Sequence, residues 1–118
     1  MVVVTAADAS PVPAVGDVFF GDIRAIRYLS DHDVCWSRIT RVSFTDGAGT
    51  NMHRHDFDQL LIVVSGSGVV RSADGNEIAV GPGDLIFTPA GEPHAHGAAP
   101  HADMTHFVVM GDGETVRV

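Results

Sequence analysis

Lysine is missing altogether: the seven basic residues of this 118-residue chain are all arginine. That absence excludes Schiff-base chemistry and any catalytic lysine. Cysteine is nearly as scarce. Cys35 stands alone, so no intrachain disulfide forms. Beside Trp36 in an apolar stretch it reads as a small packed hydrophobe rather than a nucleophile. No run approaches the roughly 18 apolar residues of a membrane span. The opening residues, MVVVTAADASPVP, lack the basic region and the longer apolar core of a secretory signal. A cytoplasmic location is the resulting expectation. Positive charge is also short, with a formal net charge of -8. Nucleic acid and anionic membrane surfaces are therefore poor partners.

What remains is the composition of one globular domain, 45% hydrophobic and 19% charged. Pro11 and Pro13 disfavour a helix near the start, so residues 1–17 read as an extended arm before a domain over 18–118. Such an arm can add a strand to a partner subunit or hang loose. Strand-like runs follow at Val18 to Leu29, Val34 to Thr45 and Phe57 to Ser65, with Gly47 and Gly49 expected to break the chain. Leu60-Leu61-Ile62-Val63-Val64 reads as a core strand or one buried on both faces. Asp74-Gly75 between short β runs signals a hairpin. Further strands are expected at Glu77 to Val80, Leu85 to Thr88, Met104 to Met110 and Glu114 to Val118. No window has sustained helical periodicity. Many short strands with Gly/Pro turns predict an all-β fold, an antiparallel barrel or jelly roll.

Six of the seven histidines fall between positions 53 and 106. His53 and His55 are two apart, which on a strand puts both on one face. Gln59 shares their parity, and a regular strand over 53–59 would aim all three inward. His94 comes from a separate segment. Three imidazoles and a carboxamide oxygen would hold an octahedral ion and leave two positions open, as catalytic sites do. Arg54, Asp56 and Asp58 alternate away from that face. His32 and His101 lie in polar or loop-like stretches and read as surface residues. Arg38, Thr40 and Val42 could line the barrel, but parity alone leaves open which side is inside.

The stretch Gly47-Ala-Gly-Thr-Asn-Met-His53-Arg-His55-Asp-Phe-Asp-Gln59, with Gly66 after six residues, resembles the first motif of the cupins. Gln59 stands where that family usually has glutamate. Gly83-Asp-Leu-Ile-Phe-Thr-Pro89-Ala-Gly91-Glu-Pro-His94 resembles the second, with Ala98 in place of its closing Asn. His94-Ala-His96-Gly97-Ala98-Ala99-Pro100 and Met104-Thr105-His106 extend the likeness to small bacterial cupins that include manganese-dependent hydroxynitrile lyases. The resemblance implies a jelly-roll barrel, one divalent metal ion on His53, His55, Gln59 and His94, and a homodimer.

Gln59 cancels none of the metal's charge, so the ion keeps its full +2 and acts as a stronger Lewis acid. The donor set suits Mn, Fe, Co, Ni or Zn, and affinity alone does not choose among them. His96 shares parity with His94, and His106 lies on a strand whose inner face reads Met104, His106, Val108, Met110. Either histidine is a satisfied core residue or an acid/base group beside the metal. Three functions follow as expectations. The first is Lewis-acid lyase or isomerase chemistry on a small hydroxyl or carbonyl compound. The second is Fe(II)-dependent dioxygenation, and the third is a barrel that binds metal or a small molecule without chemistry.

Overall fold

The computed structural model describes residues 4–5, 10–28 and 38–118. Cys35, Trp36, His32 and the start of the expected strand at Val34 lie outside the described residues. Within them there is no helix, and none is long and apolar enough to cross a membrane.

The strands are β1 (Val12–Pro13), β2 (Phe19–Tyr28), β3 (Arg38–Thr50), β4 (His53–His55), β5 (Gln59–Gly66) and β6 (Gly68–Ser72). They continue with β7 (Glu77–Val80), β8 (Leu85–Thr88), β9 (His94–Ala98), β10 (Met104–Met110) and β11 (Thr115–Arg117). All recorded pairings are antiparallel, and the sheet curls in the order β11-β4-β9-β3-β10-β5-β8. Strand β2 covers β3, while the β6–β7 hairpin hangs from β9. The result is the expected all-β antiparallel jelly roll.

Alternation places the core inside the curl. On β10, Met104, His106 and Val108 are buried while Thr105 and Phe107 are only partly so. On β3 the buried set includes Val42, Phe44, Ala48 and Thr50. Ile23, Leu61, Val63 and Ala98 complete the packed floor beneath the open end.

Two expectations are corrected, and of the two readings of Leu60 to Val64 the core strand holds. Strand β3 does not break at Gly47 and Gly49 but runs through both. Gly47 takes a left-handed φ of +74° within the strand, whereas Gly49 serves close strand approach. A Cβ on Gly97 of β9 would lie 2.5 Å from the Gly49 Cα and 2.6 Å from the Ala48 oxygen. The segment from His53 to Gln59 is not one strand: Asp56–Asp58 bend between β4 and β5. Their carboxylates hold that bend, Asp56 Oδ1 accepting from the Glu114 amide at 2.8 Å and Asp58 Oδ1 from the Ala90 amide at 2.9 Å. Strand β5 buries one face only, since Gln59, Leu61 and Val63 are buried whereas Val64 is 43% exposed.

The hairpin at Asp74-Gly75 forms as expected, with Arg71 opposite Glu77 and Gly75 at φ +87°. Strand β1 of the arm pairs within this chain, Val12 opposite Ala25 and Pro13 opposite Arg24.

Candidate metal centre and its cavity

Strand β4 supplies His53 and His55, the first residue of β5 supplies Gln59, and the first residue of β9 supplies His94. The pairing of His53 with His94 across β4 and β9 brings the two imidazoles together, with ring centroids 4.4 Å apart. His55 lies 4.8 Å from His53 and 5.2 Å from His94 by the same measure. Gln59 bridges the group: its Oε1 is 3.0 Å from His94 Nε2 and its Nε2 is 3.1 Å from His55 Nε2. All four side chains are buried.

The outer nitrogen of each ring is held. His53 Nδ1 donates to the Asn51 carbonyl at 2.8 Å, and His94 Nδ1 donates to the Glu92 carbonyl at 3.0 Å. A carbonyl only accepts, so both rings carry hydrogen on Nδ1 and present a lone pair at Nε2. His55 Nδ1 meets the Thr115 hydroxyl of β11 at 2.8 Å. Orientation of the far nitrogen by a neighbouring group is characteristic of metal-binding histidines.

Burial keeps these rings neutral. It lowers His53 and His55 to about 4, with neighbouring histidines adding to the effect and the Asn51 carbonyl opposing it at His53. Arg38 contributes to the depression at His55. His94 is lowered chiefly by burial as well. A neutral His94 with hydrogen on Nδ1 turns an Nε2 lone pair toward Gln59 Oε1 at 3.0 Å. The inward Nε2 atoms of His53 and His94 and the Gln59 carboxamide make a buried cluster of neutral donors. The donor set thus fits a divalent metal.

His96 of β9 and His106 of β10 lie deeper. His106 Nε2 is 3.2 Å from His96 Nδ1, and one shared hydrogen links the buried pair. His96 Nε2 and His106 Nδ1 have no hydrogen-bond partner. Burial, followed by the His106 charge, holds His96 well below the ordinary histidine range, and burial lowers His106 to about 4. The edge of Phe44 supports the pair, 5.9 Å from His96 and 5.2 Å from His106 between centroids. His53, His94 and His96 also form a group whose ligand atoms all lie within 4.8 Å of one another. His96 therefore joins His53 and His94 in a group that could hold a metal ion.

A cavity of about 350 Å³ opens above these residues. His53, His55, Gln59, His96 and His106 line it, together with Arg38, Thr40 and Val42 of β3 and Val108 and Met110 of β10. The inward face that parity left open on β3 is thus fixed. Arg54, Asp56 and Asp58 point outward as expected, and the His101 side chain is 96% exposed. Sequence reasoning missed two contributors. Thr115 is sixty residues from His55, and only the β4–β11 pairing brings them together. Ala14, Val15 and Gly16 of the arm form a wall of the cavity, which no local pattern announces.

The chain belongs to the cupin family: residues 40–111 match the family model described as Cupin domain. It is 35% identical over 102 residues to an (R)-mandelonitrile lyase of Granulicella tundricola, covering 85% of this chain and 78% of that one. Among solved structures it resembles a cupin-like protein of Thermotoga maritima (TM-score 0.82, 25% identity, 90% of this chain and 83% of that one). The polyketide cyclase RemF of Streptomyces resistomycificus shares the fold, with TM-score 0.85 at 21% identity over 100% of this chain and 85% of that one.

Proposed function

We propose that this cupin is a metal-dependent lyase that cleaves a small cyanohydrin-type hydroxy compound to a carbonyl compound and hydrogen cyanide. The observation that carries the reading is the buried imidazole cluster, in which His53 and His94 turn Nε2 lone pairs inward from carbonyl-held Nδ1 atoms and the Gln59 carboxamide meets His94 and His55. His53, His55, Gln59 and His94 would hold one ion of Mn, Fe, Co, Ni or Zn. When bound, the ion supplies Lewis acidity to the substrate oxygen, undiminished by ligand charge. The likeness to the mandelonitrile lyase favours bond cleavage over oxygen chemistry.

The chain's own residues account for the proton. A neutral imidazole of the His96–His106 pair takes the substrate hydroxyl proton as the C–CN bond breaks. The O–H electrons form the carbonyl, the bond pair leaves as cyanide, and the proton passes to cyanide. Burial keeps the pair neutral at pH 7 and so free to accept a proton, at the cost of base strength, since His106 is lowered to about 4. Val42, Phe44 and Val108 keep the surroundings apolar and limit water.

The test is elemental analysis of the purified protein, followed by anaerobic turnover of mandelonitrile with benzaldehyde release measured. Stoichiometric metal and oxygen-independent cleavage support the reading. Oxygen consumption with Fe(II) and no anaerobic cleavage would replace it with dioxygenation. Metal binding without turnover of either kind would leave a binding barrel.

A further inference from the structure

The cavity holds one feature that cyanohydrin cleavage does not use. Arg38 begins β3 and turns into the cavity above the histidines. Among the described residues that line this space there is no Asp or Glu, and the carboxylate nearest the guanidinium, Asp112, is not one of them. The Arg38 Nε is buried and makes no hydrogen bond. Asp112 approaches from outside, with Oδ1 3.3 Å from Nε, but off the N–H direction, and its side chain is 69% exposed. A buried donor on a charged group without a bonded acceptor is costly, and guanidinium matches a carboxylate with two parallel hydrogen bonds.

Strand register sets the distance to the candidate metal centre. Met110 of β10 lies opposite Arg38 on one side and Gln59 on the other. Arg38 and Gln59 therefore share a rung two strands apart, about 10 Å between Cα atoms at the usual strand spacing. Both side chains enter the same cavity, so one small molecule can touch both. The chain carries a net charge of -8, and its general field repels anions. Arg38 supplies the local exception.

We infer that the substrate is an anion, a small hydroxy- or oxo-carboxylic acid whose carboxylate is held by Arg38 while its oxygen at the reacting carbon lies at the His53, His55, Gln59 and His94 cluster. The oxygen end rests on the function proposed above; the acid end rests on Arg38 alone. The carboxylate stands apart from the reacting carbon, as the separation of the two ends requires. Met110, on the rung between the two ends, would flank the connecting carbons.

Calorimetry with a matched pair of probes tests this: 4-(hydroxymethyl)benzoate and the neutral 1,4-benzenedimethanol, titrated into Mn(II)-loaded protein. The carboxylate probe should bind about tenfold tighter or better, the value of one good charged hydrogen-bond pair. Arg38→Gln should bring its affinity down to that of the neutral probe. Arg38→Lys, which keeps charge but not the fork, should retain part of the preference and covers the case in which the glutamine variant fails to fold. Asp112→Asn should strengthen the preference by removing the outside competitor. Equal affinity for the two probes, no measurable binding of the carboxylate, or a preference that survives Arg38→Gln would overturn the inference. Metal content and cyanohydrin cleavage are measured separately. A metal-loaded, active protein with no carboxylate preference refutes the anionic substrate alone. An Arg38-dependent preference in Mn(II)-loaded protein that cleaves no cyanohydrin, neutral or carboxylated, refutes the lyase alone.

Discussion

Gln59 carries more information than any other residue of the site. Its carboxamide faces a His94 nitrogen that the Glu92 carbonyl has fixed as an acceptor, and it would leave the charge of a bound ion uncompensated. Gln59→Glu should keep metal in elemental analysis but lower cyanohydrin cleavage at least tenfold, because the added negative charge weakens the Lewis acid. His96 lies as close to His53 and His94 as a ligand would, yet its Nδ1 is engaged by His106 and not by a backbone carbonyl. Metal analysis of His55→Ala and His96→Ala separates the two possible ligand sets. Loss of metal in the first and retention in the second is the expected outcome; the reverse would move His96 into the coordination sphere. His106→Ala should retain metal and lose a factor of about 10² to 10⁴ in kcat, the usual contribution of a positioned acid/base group.

At the scale of elements, the site depends on contacts between strands that carry no functional group themselves. The β3–β9 crossing at Gly49 and Gly97 is a close one, and it sets where His94 and His96 emerge. Gly97→Ala would push a methyl into the Ala48 oxygen and the Gly49 Cα, with backbone on the far side that has nowhere to go. A loss of about 1–3 kcal/mol or more is expected, read as a lower thermal midpoint. Strand β11 contributes through Thr115. Thr115→Val removes the hydroxyl beside His55 Nδ1 and should weaken metal affinity about 10- to 100-fold in a chelator competition while leaving the fold intact. An unchanged affinity would show that the β4 backbone alone orients His55.

At the scale of the whole molecule, five histidines are buried together with lowered basicity, and this links folding to pH. His53, His55 and His106 sit at about 4 in the folded chain against about 6.5 in the unfolded one. Between those values the unfolded chain binds protons that the folded chain refuses, so stability rises with pH there. Metal-free protein should therefore lose stability as pH falls from 6.5 toward 4, by up to about 1.4 kcal/mol per pH unit for each group. Above about pH 7.5 the curve from these groups is flat. Thermal midpoints between pH 5 and pH 8 check this; a midpoint independent of pH would mean that the rings are solvated and protonate freely.

The sequence by itself determined the class of fold and most of the candidate site. Alternation, turn residues and the two histidine-bearing motifs are local properties, and local chemistry sets where strands run and which residues can bind a metal. Even Gln59 was reached, although by way of a continuous strand over 53–59 that the bend at Asp56–Asp58 replaces. Tertiary structure alone decided the rest. Which face of β3 is inside depends on the partners β2 and β10. Thr115 stands beside His55 through the closing strand β11, and Arg38 shares a rung with Gln59 through the register of β10. Those relations join residues far apart along the chain. They arise only when the curled sheet buries one face of every strand at once, and no window of sequence contains that constraint.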